Sequence, residues 1–248
     1  MCKLRRISQT SSRRTTRRAA SIRTPTRFTT NTKPMSTVNI EVEINRAARL
    51  GTQLEHLVYD KAREGKLIAT GNNDDLLMGY WSLVFDIGKG VGCLLLHKFY
   101  APAFALFRPI VEALVRAGIV LAGTPEVVQK IRRDEYSTNF KKDGAFIDKA
   151  LGLGTLVDDF LNGNRELLHS LTHSGTAQLG MRFDGDAIGA TVTDTQIMAL
   201  LGAASNAAFL ITIVVAKHFD LSDLADTANK AFWEYGKESM AANARLTI

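Results

Sequence analysis

The sequence predicts an all-α protein: a single helical bundle of about six to eight helices with one small β-hairpin, preceded by a disordered basic tail. Three observations carry this. Apolar residues recur at helical spacing along most of the chain after residue 36. Proline, glycine and N-capping residues punctuate that pattern at helix-length intervals. Only one short stretch alternates in the manner of strands. The chain therefore divides into a tail, residues 1–36, and a helical domain, residues 37–248.

From Val38 to Arg63 apolar residues fall at Ile44, Ala47, Leu50, Leu54, Leu57 and Val58, which predicts a long amphipathic helix ending near Gly65. Asn73 or Asp74 then caps a second, more apolar helix reaching Lys98. Gly88, Gly90 and Gly92 weaken that helix unless a neighbour crosses closely there. Pro102 and Pro109 bracket the start of the next helix, which ends at Gly123. Thr124-Pro125-Glu126 reads as an N-cap, a proline at the first helical position and an acid in the first turn of a shorter polar helix.

Gly152 and Gly154 mark a break, after which Thr155 to Thr172 reads as a helix closed by Gly175. QLGMRF and AIGATV, around Asp184-Gly185-Asp186, predict the hairpin over Gln178–Val192. Thr193 with Gln196 makes a capping box for the most apolar helix, Ile197 to Phe219, and a final helix runs from Leu221 toward Met240. Within the Ile197–Phe219 helix the stretch IMALLGAASNAAFLITIVVA is 20 residues without charge, long enough to cross a bilayer. Asn206 within it and the short amphipathic neighbours favour the centre of a bundle instead, so no membrane partner is expected.

The formal net charge of +6 is unevenly placed. Residues 1–34 hold ten Lys and Arg, twelve Ser and Thr, and no acid, leaving 21 basic against 25 acidic residues in the remainder. The domain is thus net acidic and lacks the general basic surface of a duplex binder. The tail has too few apolar residues to bury and reads as disordered. Its composition fits an upstream translation start before Met35, an organellar transit peptide or a nucleic-acid-binding arm; without an apolar stretch it is no secretory signal. Two cysteines, Cys2 and Cys93, make no disulfide framework, which fits a reducing, cytoplasmic setting.

Two constellations stand out. His169 and His173 in ELLHSLTHSG are neighbours on one helix face, about 40° apart around the axis. No third and fourth ligand at metal spacing accompanies them, so no metal and no cofactor is expected. The alternatives are hydrogen-bonded histidines at a helix end or a proton donor and acceptor pair. Arg108, Glu112 and Arg116 stand at i, i+4 and i+8 in an otherwise apolar helix, forming one narrow charged stripe. It reads as a solvent edge, a buried ion-pair ladder or a site. In a ladder Glu112 would bridge both arginines, so its loss would cost more than the loss of Arg116. Asp86, Cys93 and His97 share a face, but about 10.5 Å of axial rise between Asp86 and Cys93 prevents joint ligation. Neither a glycine-rich phosphate loop nor a serine nucleophile elbow occurs, which argues against nucleotide-dependent enzymes.

The blocks NNDDLLMGYWSLVFDIGKGVGCLLLHKFYAPAFALFRPIVEALVRA and LLHSLTHSGTAQLGMRF resemble an uncharacterised bacterial family of helical proteins known only as a domain of unknown function. The resemblance spans roughly Asn72 to Phe219, with FRPIVEALVRA and HSLTHSG its most specific pieces, and implies a mainly helical domain without an assigned activity. An Arg followed by a His near a helix end in a small bundle is also distantly similar to the HEPN superfamily, many members of which are metal-independent ribonucleases of toxin or anti-phage systems. Here three residues separate Arg165 from His169 and seven separate it from His173, a departure from the superfamily's spacing.

Two functional readings result. One is a self-associating helical interaction or accessory protein, a homo-oligomer in which His169, His173 and the Arg108–Arg116 stripe organise the fold or an interface. The other is a HEPN-like ribonuclease, in which His173 or His169 acts as acid or base on RNA and Arg165 stabilises phosphate charge. A basic accessible patch would favour the second and an exposed apolar patch the first.

Overall fold

A computed structural model describes residues 39–67, 71, 73–165, 167–168, 183–184, 187–188 and 192–244. The basic tail, His169 and His173 lie outside the described residues. The described domain is an all-α helical bundle. Its helices are α1 (Ile40–Arg63), α2 (Asp74–Leu96), α3 (Tyr100–Ala105), α4 (Phe107–Ala122), α5 (Pro125–Arg132), α6 (Phe140–Leu151), α7 (Leu156–Gly163), α8 (Asp194–His218) and α9 (Ser222–Ala244).

Helix α8 is the centre of the bundle and packs on α1, α2, α4 and α9. It starts at the capping box expected from sequence: the Thr193 hydroxyl accepts the Gln196 N–H, and the Gln196 side chain accepts the Thr193 N–H. Every residue from Ala207 to Ala216 is buried, so this part of the helix has no solvent face. Although α8 is long and apolar enough to cross a membrane, 72% of its most apolar window is already buried inside the protein. Thr212, fully buried, resolves its polarity locally by donating to the Ala208 carbonyl at 2.8 Å.

Around this centre, α2 packs most extensively on α4, and the α6–α7 pair packs on the opposite side of α4. A Cβ on Gly118 of α4 would meet Ile147 side-chain atoms at 2.7–2.9 Å, and one on Gly144 of α6 would meet the Asp158 Cα at 2.8 Å. These two glycines set how near α6 lies to α4 and to α7. At the other end Glu43, buried on α1, pairs with Arg46 and accepts the Ser239 hydroxyl at 2.9 Å, tying α1 to α9.

Several boundaries differ from the sequence expectation. The single polar helix expected after Thr124 is two, α5 and α6, divided where Asp134 takes a left-handed conformation at φ 55°. The helix expected from Thr155 to Thr172 is interrupted at Asn164, whose side chain donates to the Phe160 carbonyl at 2.8 Å. The same carbonyl accepts the Asn164 backbone N–H at 3.2 Å, so side chain and backbone of Asn164 both close on the last turn of α7. The close helix crossing expected at Gly88, Gly90 and Gly92 is also absent: a Cβ on Gly88 meets nothing within 4 Å, and on the other two only ordinary contacts.

The hairpin expected over Gln178–Val192 is not seen as a regular element. Among the described residues of that segment, two dipeptides pair, Phe183–Asp184 antiparallel to Ala187–Ile188. Two residues a side present no sheet face to bury.

Candidate functional site

The charged stripe of α4 splits in two. Arg108 Nε donates to Glu112 Oε1 at 2.6 Å, one turn along the same helix. Their side chains are 37% and 30% exposed, so this is a half-buried surface pair and not a buried ladder. Arg116 turns away from Glu112. Its Nη1 donates to Asp134 Oδ1 at 2.7 Å and its Nη2 to the Tyr136 carbonyl at 3.3 Å. The bridging role expected for Glu112 therefore fails, because the loop after α5 supplies a nearer carboxylate for Arg116.

Arg116 stands in a compact polar cluster beneath that loop. Burial opposes its charge, but hydrogen bonds to Asp134 and Tyr80 outweigh it and hold its pKa above the ordinary guanidinium value. Burial, reinforced by the neighbouring Asp143 carboxylate, pushes the Tyr136 phenol well above its usual value. Asp143 is itself buried and accepts the Asn139 N–H at 2.7 Å, closing the start of α6. The Arg116 Nε is buried without a hydrogen-bond partner.

Arg108 faces a different space. Its guanidinium carbon lies 5.9 Å from the centre of the Phe140 ring, within cation–π range. Phe140 opens α6, and between α4, the start of α6 and the end of α7 there is a cavity of about 280 Å³. Arg108, Lys141 and Arg165 line it from three separate segments, with Thr138, Asn139 and Asn162 as neutral polar neighbours. Leu161 and Leu168, both buried, supply apolar wall.

Among the described residues no carboxylate lines the cavity. Glu112 neutralises Arg108 from beside it, whereas Lys141 and Arg165 have no ion-pair partner among the described residues. The α6 N-terminus adds little to this field, because the buried Asp143 carboxylate already sits on its first turn and accepts the Asn139 N–H.

Of the residues singled out from sequence, the fold brings Arg108 and Arg165 to one cavity, with Glu112 attached to Arg108, and leaves Arg116 outside it. His169 and His173 lie outside the described residues, four and eight positions after Arg165. Lys141 and the α6 N-terminus were not anticipated; the only signal was the Lys141-Lys142 pair at the start of a polar segment. Another polar pair missed from sequence lies elsewhere: His218 Nε2 is 2.6 Å from Oδ1 of the buried Asp74, joining the end of α8 to the start of α2.

No protein-family model matches the chain, and no curated protein or solved structure is significantly similar to it.

Proposed function

We propose that the domain is a binding protein for a phosphate-bearing ligand, held in the cavity between α4, α6 and the Arg165 end of α7. The observation that carries this reading is the lining: Arg108, Lys141 and Arg165 converge, and among the described residues no carboxylate joins them. In a net acidic domain, such local reversal of charge concentrates anions where the rest of the surface repels them. Arginine's fork of donors suits phosphate oxygens, and Arg108, Lys141 and Arg165 supply such donors from three segments. Phe140, already beside a cation, offers a ring face to a flat group attached to the phosphate.

Calorimetric titration of the full chain with inorganic phosphate and a mononucleotide tests the reading. Binding is expected to weaken about tenfold in Arg165→Ala and in Lys141→Ala, the loss of one charge-assisted hydrogen bond each, and to tighten in Glu112→Gln, which frees Arg108. Equal affinity in the wild type and an Arg165→Ala, Lys141→Ala double variant would place any binding elsewhere and end the proposal.

The second reading, a HEPN-like metal-independent ribonuclease, is favoured by one observation: Arg165, which lines the cationic cavity, stands four positions before His169, the first residue of the HSLTHSG segment. On that reading the ligand phosphate belongs to RNA, and His173 or His169 transfers protons at the ribose hydroxyl and the leaving oxygen. Its test is cleavage of single-stranded RNA in EDTA, lost in His173→Ala or His169→Ala with unchanged circular dichroism. Phosphate binding without cleavage leaves the binding-protein reading.

A further inference from the structure

On the far side of the bundle, α1, α2 and α8 surround a second cavity, of about 320 Å³. Its floor is core: Ile44, Val84, Phe85, Val91 and Leu201 are each 3% exposed or less. Small residues on all three helices, among them Ala48 and Gly51 on α1, Gly88 on α2, and Ala204 on α8, keep the helices from filling it. A Cβ built on Gly51 or Gly88 meets no atom within 4 Å. Among the described residues Lys89 is the one charged side chain in the lining, and it is already engaged by Glu55 at 2.8 Å.

Small residues alone would mark nothing, but one polar group inside the cavity is unaccounted for. Ser205 of α8 is 6% exposed and lines the cavity, and its hydroxyl has no hydrogen-bond partner among the described residues. Thr212 on the same helix closes its hydroxyl on the carbonyl one turn back, whereas the Ser205 hydroxyl is left open to the cavity. An apolar space with one hydroxyl opening into it is complementary to an apolar molecule carrying one polar end.

We infer that this cavity is a binding site for a medium-length aliphatic chain whose single hydroxyl or carbonyl oxygen pairs with Ser205. Its volume, about 320 Å³, is of the size of small-molecule sites, and a chain of about ten heavy atoms suits it. The site is separate from the cationic cavity and does not depend on what that cavity holds. An uncharged ligand class distinguishes the two.

The test uses the full chain and n-decanol, which carries no charge and so is not drawn to Arg108, Lys141 or Arg165. Binding is followed by calorimetry and by the rise in melting temperature. Gly51→Leu and Gly88→Leu place side chains in the empty space and are expected to abolish binding while the fold remains at least as stable, since each also replaces a helical glycine. Gly79→Leu, on the exposed part of α2 outside the cavity, is expected to bind as the wild type does. Ser205→Ala is expected to weaken decanol about three- to tenfold, the loss of one hydrogen bond, and to leave decane binding unchanged. Absence of decanol binding by the wild type, or binding that survives both leucine substitutions, overturns the inference. So does a concentration-dependent dimer that Gly88→Leu dissociates in a protein that takes up no decanol, because the groove then holds a second copy of the chain.

Discussion

The buried carboxylate of Asp148, on α6, accepts the Val157 N–H at 3.0 Å, and its other oxygen accepts the Asp158 N–H at 2.8 Å. A side chain of one helix thus satisfies the free donors at the start of the next, α7. That contact holds α7 end-on against α6 and fixes the Leu161–Asn162 wall of the cationic cavity.

Asp148→Ala is expected to cost about 2–3 kcal/mol, since it leaves two buried N–H groups unpaired. Asp159→Ala, which removes an exposed acid bonded to Thr155, is expected to stay within about 0.5 kcal/mol of the wild type. Urea unfolding of the two variants measures the difference, and equal midpoints would show that Asp148 is not a cap.

Arg116→Ala is expected to destabilise more than Glu112→Ala, by about 1–2 kcal/mol. Arg116 serves Asp134, the Tyr136 carbonyl and Tyr80, whereas Glu112 has only the half-exposed Arg108. The order is the reverse of that expected for a ladder, so the same unfolding experiment decides between the two arrangements.

Gly144→Ala and Gly51→Ala should move stability in opposite directions. At Gly144 the new methyl would meet the α7 backbone at 2.8 Å, and backbone cannot yield as a side-chain end can, so a loss of about 1–3 kcal/mol is expected. At Gly51 the methyl enters open space, and the gain in helix propensity is about 0.5–1 kcal/mol. Melting temperatures of the two variants check both signs; a stabilised Gly144→Ala would mean that α6 and α7 are not in close contact.

Alkaline pH should unfold the domain partly through Tyr136. Its folded pKa is raised by burial and by Asp143. In the unfolded chain the phenol ionises near its ordinary value of about 10, while in the folded protein it stays protonated. Its contribution is therefore complete below about pH 10 and is lost as pH rises above that value toward the folded pKa. Tyr136→Phe is expected to flatten the alkaline limb of stability against pH, measured as urea midpoints from pH 8 to about pH 11. An unchanged limb would assign the loss to other groups.

The sequence by itself determined the helical class and most of the helix starts, because those depend on residues within a turn or two of one another. The Thr193–Gln196 capping box, the Thr124-Pro125 start of α5 and the periodic apolar face of α1 are all local, and they appear where periodicity and capping chemistry put them. Periodicity gives the phase of a helix face, however, and not the neighbour that face will meet. Only the tertiary structure decided that Glu112 would be left with Arg108 while Arg116 turned to the Asp134 loop. Only packing brought Arg108 of α4 within one cavity of Arg165, 57 positions along the chain, and brought Lys141 in from a third element. The aliphatic cavity was invisible for the same reason. Gly51, Gly88 and Ser205 are unremarkable on their own helices, and they make a space only because three helices converge there with nothing large enough to fill it.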